Sequence, residues 1–400
     1  MKCIVPWLWL HMEPSGKVIP CCSNPKILGD IKTQSLEEIW NGEEMKKFRL
    51  SLLEELPESC FSCKKSEELG SISLRKTYNQ IFKDSFDEAI NNTNNDGSLK
   101  VTKFKGYHFR ISSKCNFKCR MCDEETSSAF NGKIVEHTKD LNFEEFVENN
   151  IQDLEAIGFA GGETLIMDEH YWFLQKLIDN EKTNIDIQYS TNASILKYKS
   201  HDVLDYWKKF NPEKLSIAAS IDEIGERAEY IRKGTVWSVV DKNLKILTTQ
   251  PFNRQITTVV SCYNVFRLPE IIQYLTDIGY IKPEKFLEGD QQHLQLWFMD
   301  NGVEESYRAC WILPNKFKEK IKLKLNSFID RYNSEYNTDI SFLMNPIITY
   351  LNKETNKRVV QQFLWENVYL DKSNGENLFK TFPEFLEILD EWRLDNLLST

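Results

Sequence analysis

The chain has 400 residues, 41% hydrophobic and 12% aromatic, enough to bury a sizeable core in two or three domains or one barrel with additions. No long stretch lacks aromatic or branched apolar residues, which excludes a disordered chain. A net charge of -10 disfavours a broad phosphate-binding surface, so a small molecule or a peptide suits it better than nucleic acid.

No apolar run reaches the length that spans a bilayer. Residues 1–10 are apolar and carry Lys2, but they are too short for a signal peptide. They run into His11, Glu13 and Pro14 without a small-residue cleavage site. A cytoplasmic protein without membrane contact is expected. Its ten cysteines should then be reduced, and clustered thiols read as metal ligands or catalytic groups rather than disulfides. Eight fall in three local groups: Cys3 with Cys21 and Cys22, Cys60 with Cys63, and Cys115 with Cys119 and Cys122. Cys262 and Cys310 stand apart and read as buried, inert thiols.

In chain order, residues 1–80 form a small cysteine-bearing unit. Pro14-Ser15-Gly16 is a turn between two extended runs. Ser35 and Glu38 make a capping box for a helix from Leu36 to about Leu53. Residues 81–105, with the polar run Asn91 to Ser98, read as a linker. Strands are then expected at 107–111, 156–160, 185–189, 215–221, 255–261 and 294–299. Helices are expected at 143–154, 171–178, 203–210, 236–247 and 268–278. This alternation argues for parallel βα units in an α/β fold; six repeats fit a partial (β/α)6 TIM-like barrel over 106–312 better than a flat sheet, although periodicity alone does not separate the two. Residues 313–400 read as a helical extension, clearest at 318–331 and 382–398.

The segment Cys115-Asn116-Phe117-Lys118-Cys119-Arg120-Met121-Cys122 has the pattern C-x-x-x-C-x-x-C and follows the first barrel strand. Loops at strand C-termini build the active sites of βα barrels. Three thiolates hold three irons of a [4Fe–4S] cube and leave the fourth iron open, whereas closed cubes use four cysteines. Zinc is the competing reading, but its sites favour paired C-x-x-C knuckles, which the first gap fits poorly.

This loop resembles the signature of the radical S-adenosylmethionine (SAM) superfamily, and similar elements follow in order. Gly161-Gly162-Glu163 resembles the family's element for the SAM amine, and Ser190-Thr191-Asn192 its third strand end. Ser220-Ile221-Asp222 resembles the S-x-D ending, and Tyr230-Ile231-Arg232 the segment that grips the SAM carboxylate. A guanidinium suits that task because it donates two parallel hydrogen bonds. Met121 stands where the family often has an aromatic residue. A thioether also packs on an adenine ring.

Cys3, Gly16 and Cys21 follow C-x12-G-x4-C, which resembles the opening of SPASM and twitch domains, here placed ahead of the barrel rather than behind it. With Cys60 and Cys63 this set implies an auxiliary [4Fe–4S] cluster; zinc is the alternative, and the glycine spacing selects Cys21 over Cys22. The resemblance implies reductive cleavage of SAM to a 5′-deoxyadenosyl radical, hydrogen abstraction from a small molecule or peptide, and an external donor of flavodoxin or ferredoxin type. A non-catalytic zinc or iron–sulfur protein and a nucleic-acid-modifying radical SAM enzyme are the alternatives. His11 reads as a hydrogen-bonded structural group. Asn264, Trp297 and Asp300, at strand ends, are guesses for substrate contact.

Overall fold

A computed structural model of the chain describes residues 3–394 apart from 69, 71, 288–291 and 300–305. Asp300 therefore lies outside the described residues. The chain divides into two compact units. The first comprises Met1–Glu68, Ile72–Ala219 and Thr249–Arg254; the second comprises Leu69–Ser71, Ser220–Thr248 and Gln255–Thr400.

In the first unit the strands are β1 (Trp9–Met12), β2 (Lys17–Ile19), β3 (Gly29–Asp30), β4 (Gly106–Phe109), β5 (Ala156–Phe159), β6 (Asp186–Thr191) and β7 (Leu215–Ser220). They lie side by side in the order β7-β6-β5-β4-β1-β2-β3. From β7 to β1 every pairing is parallel, as the βα alternation leads one to expect. β1, β2 and β3 pair antiparallel. The cysteine-bearing N-terminal segment is thus sewn into the sheet through β1 beside β4, a junction not foreseen in the sequence. Gly16 closes the β1–β2 hairpin with φ +90, a backbone conformation that glycine adopts without strain.

The two faces of this sheet differ. Leu10, Tyr107, Ile157, Ile187 and Leu215 stand in register across five strands, all buried. Phe109, Phe159 and Tyr189 follow on the same face. There they pack against Phe143 of helix Phe143–Asn150, Phe173 of helix Asp168–Asp179 and Trp207 of helix Val203–Trp207. Each such side chain contributes about 1.5–3 kcal/mol by leaving water.

Two local expectations need correction. The helix foreseen from Leu36 to Leu53 is two helices, Leu36–Trp40 and Glu43–Glu54, because Asn41-Gly42 ends the first and Gly42 caps the second in an extended conformation. The Ser35–Glu38 capping box is formed. Residues 81–105 hold a turn at Lys83–Ser85 and a helix at Phe86–Asn91, and bury Phe82, Ala89, Leu99 and Phe104.

In the second unit β8 (Asn253–Val260, in this unit from Gln255) pairs in parallel with β9 (Leu294–Phe298). Helices Glu226–Ile231, Trp237–Thr248 and Leu268–Asp277 accompany them, and Asn315–Tyr336, Ser341–Tyr350, Lys357–Asn374 and Glu384–Leu394 follow. The middle two of these four lie in the region read as helical but were not delimited in the sequence. One carries Pro346 inside it, and the other leaves Trp365, Val368 and Tyr369 exposed, which blurs its apolar stripe.

Candidate functional site

The cysteine loop leaves β4 and is held by its own backbone. Cys115 N–H donates to Ser128 Oγ at 3.2 Å, and Ser127 Oγ donates to the Phe117 carbonyl at 2.6 Å. Phe117 N–H points at Cys115 Sγ, 3.4 Å away, the kind of donor that tunes a cluster thiolate. Cys119 is buried, Cys115 half-buried and Cys122 exposed. Met121 beside it is half-buried.

Gly161-Gly162-Glu163, after β5, is stitched onto this loop. Gly162 N–H donates to the Ser112 carbonyl at 3.2 Å and Glu163 N–H to the Lys114 carbonyl at 2.8 Å. A Cβ on Gly162 would lie 2.1 Å from that Lys114 oxygen, so only glycine permits the approach. Glu163 is 1% exposed. Its Oε1 accepts from Thr191 Oγ1 at 2.9 Å and Leu165 N–H at 3.2 Å, and its Oε2 accepts from Asn192 N–H at 2.8 Å. Asn192 Nδ2 in turn donates to Asn116 Oδ1 at 3.0 Å. One buried carboxylate therefore ties together the ends of β5 and β6, and Asn192 ties β6 to the cysteine loop.

Ser220, Asp222 and Arg232 belong to the second unit. Arg232 Nε donates to Asp222 Oδ2 at 2.7 Å, and Asp222 Oδ1 accepts from Val259 N–H at 2.8 Å. Asp222 is 1% exposed, so it orients the guanidinium from inside the protein. Ser220 is half-buried at the end of β7. Asn264 is a correction: it is fully buried, and its amide donates to the carbonyls of Asp222 and Val259. It braces this turn and does not face a ligand. Trp297 is half-buried, with its indole N–H on Gln295. Cys262 and Cys310 are buried.

Glu223 is a residue that the sequence reading missed. It is buried, with Arg267 Nε 3.2 Å from its Oε2. Burial, only partly offset by Arg267, pushes its carboxyl up to about 7.

The N-terminal cysteines converge. Cys3, Cys21, Cys60 and Cys63 line one cavity with Phe48 and Tyr78. Cys22 does not line it and is exposed. Burial pushes the Cys3 thiol up to about 12 and Cys60 to about 11, and both feel Cys63. Four thiolates around so apolar a space require a cationic core to balance them. Four thiols ranged around one cavity suit a cluster held at its corners.

The sheet's other face is mostly small and polar, apart from Trp9, which packs against Tyr78 and Phe82. His11, His108, Gly158, Gln188 and Ser216 stand in register, and Arg110 lies just beyond His108. Arg110 Nη1 donates to Glu13 Oε1 at 2.9 Å, and His11 Nε2 lies 3.2 Å from that oxygen and 3.4 Å from His108 Nδ1. Burial, aided by the Arg110 charge, holds both imidazoles well below their ordinary pKa. His11 is hydrogen-bonded, as foreseen. His108, Arg110 and Gln188 were missed, although two-residue alternation marks them.

Residues 109–279 match the model of the radical SAM superfamily, and residues 3–64 match that of the SPASM iron–sulfur cluster-binding domain. Residues 109–279 thus form a radical SAM domain, with a SPASM-type domain ahead of it. Proteins of this kind use SAM with a [4Fe–4S] cluster, and the SPASM domain brings auxiliary iron–sulfur clusters. A GTP 3′,8-cyclase of Campylobacter lari is 33% identical over 97 residues, 23% of this chain and 29% of that enzyme. The chain thus matches less than a third of that relative's length. Among solved structures, anSMEcpe with bound AdoMet is 21% identical over 58% of this chain and 63% of its own, at a TM-score of 0.41. Streptococcus suis SuiB bound to its precursor peptide SuiA is 12% identical over 83% and 71%, also at 0.41.

Two expectations test this geometry. Replacing Glu163 with alanine leaves the Thr191 hydroxyl and two buried N–H groups without an acceptor, each costing about 1–3 kcal/mol. Denaturant unfolding of Glu163→Ala should therefore lose at least about 2 kcal/mol; a loss under half that size would show that the carboxylate is not the knot. For Glu223, a carboxyl raised in the folded state binds its proton more tightly there. Its contribution to stability is complete below its ordinary value of 4.5 and is lost as pH climbs through about 7. Melting curves of wild type and Glu223→Gln should diverge across that window, with wild type falling further. Parallel profiles would contradict the raised value.

Proposed function

We propose that the protein is a radical SAM enzyme acting on a small-molecule or peptide substrate, with a catalytic cluster at Cys115, Cys119 and Cys122 and an auxiliary one at Cys3, Cys21, Cys60 and Cys63. The observation that supports this reading is the bonding of Gly162 and Glu163 to the Ser112 and Lys114 carbonyls, which ties the glycine element to the segment leading into Cys115. The bound cluster with SAM supplies a 5′-deoxyadenosyl radical able to take hydrogen from an unactivated carbon.

The chain's own residues do the rest. Cys115, Cys119 and Cys122 hold three corners and leave one iron for SAM. Gly161 and Gly162 offer bare backbone to its amine, and Met121 packs near its adenine. Asn192 and Ser220 lie at the ends of their strands, where SAM's polar groups are held. Arg232, oriented by Asp222, grips the carboxylate bidentately. Glu163 keeps the loops in place from beneath. Cys22, outside the auxiliary cavity, is not a ligand.

The substrate meets the polar sheet face. Its one described cation, Arg110, is already engaged by Glu13, and both histidines are held neutral. A triphosphate needs several cations, so a neutral, hydrogen-bonding substrate suits this face better. The reductant is of flavodoxin or ferredoxin type, in a reducing cytoplasm that keeps ten cysteines as thiols.

The test is anaerobic incubation of the reconstituted protein with SAM and dithionite. Wild type should release 5′-deoxyadenosine, and a Cys115/Cys119/Cys122 triple alanine variant should release none above the protein-free rate. Equal release from both would sink the enzyme reading.

A further inference from the structure

We propose that the C-terminal helices form a clamp that sets the position of Arg232, with Tyr230 and Asp371 as its positioning residues. Arg232 ends a short segment, helix Glu226–Ile231 continuing into Arg232-Lys233. Three other side chains of that segment reach into the C-terminal region. Arg227 makes a two-pronged pair with Glu384, Nη2 to Oε2 at 2.9 Å, and lies over the Phe382 ring. The Tyr230 hydroxyl donates to Asp371 Oδ1 at 2.8 Å and stands 3.3 Å from Asn367 Oδ1. Lys233 Nζ lies 3.0 Å from Glu376 Oε1 and 3.3 Å from the Asn374 carbonyl.

These partners are themselves fixed. Asp371 Oδ2 accepts from Leu378 N–H at 2.6 Å, which locks the turn after helix Lys357–Asn374. Asn367, 2% exposed, also accepts from the Tyr263 hydroxyl at 2.8 Å. Residues 227 and 230 stand three apart on the helix and so share one side of it. Arg232 instead turns to Asp222, 2.7 Å away. Arg232 is thus tied to Asp222 while its segment is tied to the C-terminal helices, so a shift of those helices displaces the guanidinium. Tyr230 and Asn367 are too buried for solvent to replace their bonds cheaply. The radical SAM match spans residues 109–279, so Asp371, Glu376 and Glu384 lie outside the matched residues.

The inference rests on the reading that Arg232 binds the SAM carboxylate, and its test separates the two. The full-length, anaerobically reconstituted protein is titrated with radiolabelled SAM by equilibrium dialysis, and its melting temperature is recorded alongside. Arg232→Ala should weaken SAM binding most. Tyr230→Phe and Asp371→Asn should each raise the SAM Kd about fivefold, the worth of one hydrogen bond. The double variant should be no worse than the poorer single, because both cut the same link. Trp392→Phe, which removes a buried bond to the Ile312 carbonyl in the same helical region, should lower the melting temperature and leave the Kd unchanged.

Wild-type affinity in Tyr230→Phe and Asp371→Asn, with Arg232→Ala impaired, would overturn the clamp alone. Equal weakening in Trp392→Phe would overturn it in favour of general softening. Unchanged affinity in Arg232→Ala would remove the reading beneath it.

Discussion

The carboxylate of Glu163 is the constraint on which the first unit's site depends. A buried charge is expensive unless every lone pair finds a donor. Here a hydroxyl and two backbone N–H groups converge on it from β6 and from the turn after β5. The same turn is bonded through its own backbone to the cysteine loop. Three loops that would otherwise move independently are thereby fixed to one another. A site that must hold an inorganic core and a cosubstrate in reacting geometry needs that rigidity. The second unit repeats the device with Asp222, which joins Arg232 to β8 and is backed by Asn264.

The sheet of the first unit divides its labour by face. One side is a continuous aromatic and aliphatic surface under the helices, and it carries the stability. Beyond Trp9, the other is lined by glycine, serine, glutamine and a neutral histidine pair, where barrels that serve only as cores place bulky branched residues. Arg110 and Glu13 link β4 to the hairpin that carries the N-terminal cysteines. The auxiliary domain and the parallel strands are consequently one folded sheet, although paired residues of β1 and β4 lie 97 positions apart in the sequence.

Much of this was legible in the sequence. The C-x-x-x-C-x-x-C loop, the two glycines and the spaced N-terminal cysteines are local signals, readable because they are particular residue types at short spacing. The strands of the βα alternation were readable within a residue or two for the same reason, since two-residue and 3.6-residue periods are local. What the sequence hid was long-range. Nothing local announces that β1 pairs with β4, that Glu163 faces inward to serve Thr191, or that Tyr230 meets Asp371 across 141 positions. Asn264 misled because a polar residue at a strand end looks like a ligand contact, whereas its amide satisfies buried carbonyls. The helix at Leu36 was drawn too long because one Asn-Gly step outweighed the surrounding helix propensity.

The central claim is that one chain holds two separate iron–sulfur centres, one on Cys115, Cys119 and Cys122 and one on Cys3, Cys21, Cys60 and Cys63. Iron and sulfide counts on anaerobically reconstituted protein test it most directly. Wild type should carry about eight irons and eight sulfides, and alanine replacement of either cysteine set should leave about four of each. Cys22→Ala should match wild type. About four irons in wild type with bound zinc, or full iron retained after loss of the N-terminal set, would contradict the account.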